Sequence, residues 1–214
     1  MSRVSGEKYL SQLTIPGTHD SCADDNISCG PSTSRYKCQD KTVTEQLNLG
    51  VRFLDIRFKH KNNRFVINHG DCELGYTFDG VLNTIGQFFQ QNNQETILLS
   101  YSYYPDEDDG NSRTFQETLD WYLRENANLF YQGAAVPQLK NVRSRIVLLN
   151  FGKDEDGNEF GKTTGEHGLS RKWNSNTVHN NYDPWECMPT TGWGCGGYMD
   201  GLKVISTMQR LSFI

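Results

Sequence analysis

Leu13-Thr14-Ile15-Pro16-Gly17-Thr18-His19-Asp20-Ser21 leads an apolar, strand-forming segment into a Pro-Gly turn and ends on an imidazole beside a carboxylate. A strand end is a rigid mount for chemistry, and histidine is the side chain that titrates nearest neutral pH. Two later segments repeat the plan. Val51 to Phe58 is an apolar run of the kind found in buried strands, with Asp55 and Arg57 inside it. Arg64 to Asn68 reads as another strand and delivers His69-Gly70. Two histidines, two aspartates and one arginine thus collect at the ends of three candidate strands. They are an acid, a base and an anion clamp, the groups that phosphoryl transfer without a metal requires.

Outward from these segments, strand and helix patterns alternate. Thr42 to Leu49 is a short helix closed by Gly50. Asp79 to Asn92 has helical periodicity, with Asp79 as its N-cap. Thr96 to Tyr101 and Arg145 to Phe151 are buried strands, and Ser112 to Leu129 is a helix. Alternation of this kind implies parallel strands with helical crossovers, and functional residues at several strand ends fit an α/β barrel. Residues 23–41 read as a polar loop. Gly152 to Gly201 shows no periodicity, and Leu202 to Ile205 is at most one more strand. A single domain over residues 1–214 is expected, with the last part of the barrel missing or replaced.

The chain has 214 residues, 36% of them hydrophobic, and a formal net charge of −5. That balance argues against a nucleic-acid binder, which would present a basic field. No apolar run approaches the roughly 20 residues of a membrane span. Residues 1–10 lack the apolar centre of a signal peptide. Yet six cysteines stand at 22, 29, 38, 72, 187 and 195. Their even number predicts disulfides, and hence an extracellular protein whose leader is absent from this chain. A reduced cytosolic protein is the alternative. The expected pairings are Cys187 with Cys195 and some bridge among Cys22, Cys29, Cys38 and Cys72. The spacings match no zinc finger.

Each candidate has a plainer reading. His19-Asp20 could be an ordinary turn. Asp55 and Arg57, two apart on a strand, share a face and could be a structural ion pair. His60, inside Lys59-His60-Lys61, reads as solvated. Asp106-Glu107-Asp108-Asp109 lacks the ligand spacing of an EF-hand and reads as a solvated loop. The aromatic residues of 182–198 fit a disulfide-stapled loop better than a lipid interface.

Ile15 to Ser21, Gly50 to Arg57, His69-Gly70 and Glu95-Thr96-Ile97-Leu98-Leu99-Ser100 together resemble the X domain of phosphatidylinositol-specific phospholipase C, in its bacterial and fungal type. Arg145 to Leu149 resembles the strand that follows. The likeness covers roughly residues 8–152. It implies a distorted TIM barrel that cleaves a lipid phosphodiester at a membrane surface, as a monomer, with no cofactor and no metal. By resemblance His19 is the general base and His69 the general acid. Asp20 orients His69, and Arg57 binds phosphate with Asp55 beside it. The family's bacterial members place a basic residue near the inositol after the Glu-Thr-Ile strand; here that segment reads Ser100-Tyr101-Ser102-Tyr103, and Ser102 is the substrate-binding candidate. They also place an aspartate, partner of the first histidine, in a late strand. No segment after residue 152 matches it, so the partner of His19 is left open. A metal-dependent relative of the glycerophosphodiesterase or sphingomyelinase D kind is the second expectation, and an inactive, truncated binding domain the third.

Overall fold

The Pro-Gly step proposed as a turn lies inside a strand. In the computed structural model, Thr14–Thr18 forms β1, with Pro16 and Gly17 in register between two parallel neighbours. A Cβ on Gly17 would stand 2.6 Å from Phe53 Cδ1, so glycine is needed for close approach of the two strands, not for a bend. The structure describes residues 1–103, 110–133 and 136–150, and strands at 169–170, 195–199 and 202–207.

The elements follow as α1 (Thr33–Tyr36), α2 (Val43–Asn48), β2 (Phe53–Lys61), β3 (Arg64–His69), β4 (Cys72–Thr77), α3 (Phe78–Gln91), β5 (Ile97–Tyr103), α4 (Phe115–Glu125), β6 (Ile146–Asn150), β7 (Leu169–Ser170), β8 (Cys195–Met199) and β9 (Leu202–Thr207). The sheet runs β7-β6-β5-β2-β1-β9-β8. Every pair from β7 to β9 is parallel, and β8 returns antiparallel to β9. Among the described residues no ladder joins β7 to β8. The wall is that of a distorted barrel left open, as expected. The doubtful strand at 202–205 is real and pairs along all of β1, and β7 and β8 lie in the stretch that showed no periodicity.

Alternation along the strands sorts the core into two layers. Leu54, Ile56, Leu99, Tyr101, Ile146 and Leu148 face the helices. Ile15, Phe53, Leu98, Val147 and Leu149 face the barrel interior, above a floor of Leu10, Leu139 and Val142. The inner rows of β1, β2 and β5 then change character toward their carboxyl ends. Ile15 is followed by Gly17 and His19, Phe53 by Asp55 and Arg57, and Leu98 by Ser100 and Ser102. The barrel is apolar at its base and polar at its mouth, where such folds carry chemistry.

β3 departs from the parallel scheme. β2 outruns its parallel partners and folds back through Asn62 and Asn63, both at positive φ (50° and 56°), into the antiparallel β3 and then β4. This paired left-handed conformation is that of a tight hairpin turn. Phe58 and Phe65 stack at 4.6 Å, and Phe58 meets the ring of Phe78 on α3 at 4.7 Å. Burial of such rings contributes about 1.5–3 kcal/mol each and fixes the hairpin on the barrel. His60 is buried, not solvated. It points away from Lys59 and Lys61 toward α4, where its Nε2 lies 2.9 Å from Thr118 Oγ1. Burial, and then the Arg113 charge, depress its pKa.

Helix boundaries also shift. Thr77 caps α3, its hydroxyl accepting from Gly80 N, while Asp79 in the first turn accepts from Tyr122 Oη at 2.6 Å. α4 starts after Thr114, whose capping box with Glu117 excludes Ser112 and Arg113. A disulfide joins Cys29 to Cys72, and Cys22 and Cys38 are free thiols. Cys187, His167, His179, the 106–109 acidic run and the aromatic residues of 182–198 other than Tyr198 lie outside the described residues, and nothing is described of the Cys195 side chain.

Candidate active site

His19 follows β1 directly. The next residue, Asp20, adopts φ 44°, a left-handed conformation that aspartate tolerates better than most side chains. The turn is held from both sides. Asp20 N donates to Asp55 Oδ2 (3.2 Å), Ser21 N to the Asp55 carbonyl (2.9 Å), and Asp55 N to Ser21 Oγ (2.9 Å). From below, Gln46 of α2 accepts from Thr18 Oγ1 (2.7 Å) and donates to the Ser21 carbonyl (2.8 Å). Gln39 donates to the His19 carbonyl at 2.6 Å.

Five of the six predicted site residues meet around the Asp20 carboxylate. Oδ1 of Asp20 lies 2.5 Å from Arg57 Nε. Oδ2 lies 3.1 Å from His19 Nε2 and 3.5 Å from His69 Nε2. His19 Nδ1 reaches Asp55 Oδ2 at 2.9 Å, and the Arg57 amino nitrogen is 3.0 Å from His19 Nε2 and 4.0 Å from Asp55 Oδ2. Asp55 therefore supplies a partner for His19 that the sequence left open. Ser102, the sixth, is paired in register with Arg57 on the neighbouring strand, as Ser100 is with Asp55.

Exposure separates the groups. The side chains of His19 and His69 each keep 22% of their surface, while Asp20 keeps 1% and Arg57 4%. The imidazoles are open to a substrate, Arg57 offers it only the small part of its surface left uncovered, and the carboxylate can only position them. Burial works against charge on His19, but Asp20 and then Asp55 accept from its ring, and together they hold its pKa at about 9.

His69 reaches the site along the β2–β3 arm. Its Nδ1 lies 2.8 Å from the Tyr36 carbonyl, which fixes that nitrogen as the N–H donor and turns Nε2 toward Asp20. The Tyr36 ring meets the imidazole edge-on at 5.7 Å. Cys38 Sγ lies 3.7 Å from Asp20 Oδ2 and 3.8 Å from His69 Nδ1. Tyr36, Cys38 and Gln46 were not anticipated. The only trace of the first two in the sequence is an aromatic residue and a thiol within an otherwise polar loop.

The family of phosphatidylinositol-specific phospholipase C X domains matches residues 13–151, a span that contains all of these groups. The chain belongs to that family. A curated relative, 1-phosphatidylinositol phosphodiesterase of Staphylococcus aureus strain Newman, is 33% identical over 155 residues, covering 70% of this chain and 49% of the relative. The solved phosphatidylinositol-specific phospholipase C of Listeria monocytogenes superposes with a TM-score of 0.60 at 30% identity, over 73% of this chain and 56% of that one. A variant of the Staphylococcus aureus enzyme reaches a TM-score of 0.67 at 26% identity, over 95% of this chain and 64% of that one. The X-domain chain thus spans about half the length of the curated relatives it matches.

Proposed function

We propose that this X domain is a metal-independent phosphodiesterase that cleaves phosphatidylinositol, or a closely related lipid phosphodiester, at a membrane surface. The observation that carries the reading is the pair of accessible imidazoles on either side of one buried carboxylate, with a guanidinium alongside. His19 takes the proton from the attacking hydroxyl as the new P–O bond forms. His69 Nε2 gives a proton to the departing alkoxide as the old P–O bond breaks. Arg57 holds the phosphoryl oxygens, with Ser102 beside it on the next strand. Asp20 and Asp55 are positioning residues that act through the two histidines and the arginine. The names carried by the relatives support the substrate class, and the Cys29–Cys72 disulfide suits an extracellular setting.

The test is release of inositol phosphate from phosphatidylinositol vesicles. Wild type turns over, while His19→Ala and His69→Ala each lose about 10²–10⁴-fold, the usual contribution of a general acid or base. Full rates in both variants would overturn the reading. The atoms of His19, Asp20 and Asp55 also lie close enough to hold a cation, which favours the metal-dependent alternative. Chelator separates the two. Unchanged turnover in EDTA supports the guanidinium clamp, and complete loss supports the metal.

A second expectation concerns pH. A base whose pKa is about 9 is protonated in the free protein at neutral pH, so kcat/KM rises with pH toward that value. Asp55→Asn removes one of the carboxylates that favour the imidazolium, which lowers the pKa of His19 and moves the rising limb to lower pH. Profiles of kcat/KM for the two proteins decide it. An unmoved limb means that Asp55 does not hold the proton on His19.

A further inference from the structure

We propose that Cys38, Asp20 and His69 form a binding site for a thiophilic divalent cation, with Zn²⁺ as its natural fit, and that the bound ion switches the active site off. The proposed mechanism makes no use of Cys38, yet this half-buried free thiol stands against the two groups on which proton delivery depends. One sulfur, one nitrogen and one oxygen from the three side chains lie within 4.8 Å of one another. Tetrahedral zinc with bonds of about 2.0–2.3 Å places its ligand atoms roughly 3.3–3.6 Å apart. Two of the spacings are 3.5 Å between His69 Nε2 and Asp20 Oδ2 and 3.7 Å between that oxygen and Cys38 Sγ, close to the tetrahedral values, and the sulfur must move from the Nδ1 side of the ring toward Nε2 to close the site.

A second feature points the same way. A metal-bound histidine almost always donates its other ring N–H to a carbonyl or carboxylate, which fixes the ring. His69 already does so through Nδ1 to the Tyr36 carbonyl, leaving Nε2 on the side of Asp20. Tyr36 and Cys38 belong to one short segment, and Cys38 N is itself anchored on the Ala23 carbonyl at 2.8 Å. Ligand and supporting carbonyl are thus held together.

The donor set selects the ion. Thiolate and imidazole suit zinc and its soft neighbours, whereas calcium and magnesium prefer oxygen alone. On binding, the S–H bond breaks, its proton passes to solvent, and an S–Zn bond forms; no electron is transferred. Thiolate and carboxylate then neutralise the ion. The ion must compete with His19 Nε2 for Asp20 Oδ2, while Arg57 keeps the other oxygen. The bound ion therefore takes the lone pair of His69 Nε2 and disturbs His19. That inhibitory half rests on the function proposed above; the binding half does not.

Cobalt(II) titration of the full chain, under anaerobic conditions without reductant, tests the binding. A near-ultraviolet sulfur-to-cobalt charge-transfer band should develop, lose one equivalent in Cys38→Ser, and disappear when Zn²⁺ is added. Loss of a ligand should weaken zinc binding by at least the roughly 10–100-fold that loss of a supporting partner costs. If Cys38→Ser fails to give a native circular dichroism spectrum, Cys38→Ala and His69→Gln take its place. A band identical in wild type and variants, or no band, overturns the site. Turnover on phosphatidylinositol vesicles then tests inhibition. Zn²⁺ should suppress wild type, EDTA should restore it, and Cys38→Ser should resist relative to its own zinc-free rate. A Cys38-dependent band with undiminished turnover overturns the inhibitory half. A band in a protein that never hydrolyses the vesicles overturns the assigned function and leaves the metal site standing.

Discussion

Arg57→Lys should lower turnover on phosphatidylinositol by about 10²–10³-fold, the scale of losing one preorganised electrostatic donor. The guanidinium does two things at once. Its Nε holds Asp20 Oδ1 at 2.5 Å while an amino nitrogen reaches His19 Nε2 at 3.0 Å. That planar fork can bind a carboxylate on one edge and phosphoryl oxygens on another. A lysine ammonium is a point charge on a flexible stem. It can replace one of these contacts but not their relative orientation. Single-turnover rates on vesicles, with the fold checked by circular dichroism, are the measurement. Near-wild-type turnover in a folded Arg57→Lys protein would show that charge alone suffices and that the fork is dispensable.

Asp20→Asn should be more damaging, because one buried carboxylate serves three partners. The substitution keeps the left-handed backbone at φ 44°, which asparagine also tolerates, so the turn itself survives. What is lost is charge. Arg57, 4% exposed, is left without its nearest counter-ion, although Asp55 still lies 4.0 Å away. Removing one partner of a buried ion pair costs on the order of 3 kcal/mol, and this residual neighbour keeps the cost from rising further. Catalysis suffers separately. An amide cannot accept from Arg57, His19 and His69 together, and it no longer favours a proton on His19. A rate loss of about 10³–10⁴-fold is expected, toward the upper end for acid–base groups. Thermal denaturation gives the stability term. Turnover measured well below the midpoint gives the catalytic term, and full activity there would remove Asp20 from its central place.

Much of this site was legible before the fold was known, for one physical reason. Phe53, Asp55 and Arg57 alternate with Leu54, Ile56 and Phe58, and a period of two is the signature of a strand with two different faces. The same alternation carries Ile15 to His19. The origin of His69 was less legible. It sits on a hairpin, and the pertinent signal was local: Asn62-Asn63 takes the positive φ angles of a tight turn, next to a basic stretch that itself reads as hairpin-like. His60 was misread from its two lysine neighbours, although strand geometry sends it to the opposite face. The partnership of His19 with Asp55, and of His69 with Tyr36 and Cys38, is tertiary. No spacing along the chain encodes a carbonyl 33 residues away from the ring that it fixes. Of the strands between 152 and 207, β7 was obscured because it is two residues long and β8 because two of its five residues are glycine.

The outrunning of β2 beyond its parallel neighbours has a consequence for how activity could be lost. His19 and Arg57 ride on the wall of the barrel, but His69 travels on a side arm whose place at the site depends on its pairing register. A slip of one residue between β2 and β3 would turn the His69 side chain to the other face while every parallel ladder stayed intact. The result would be a barrel correct in its wall and silent in its chemistry. Cys72, paired in register with His69 and bonded to Cys29, pins the arm at that point. The staple thus works less as a brace for the barrel than as a lock on which version of the folded chain brings His69 to Asp20.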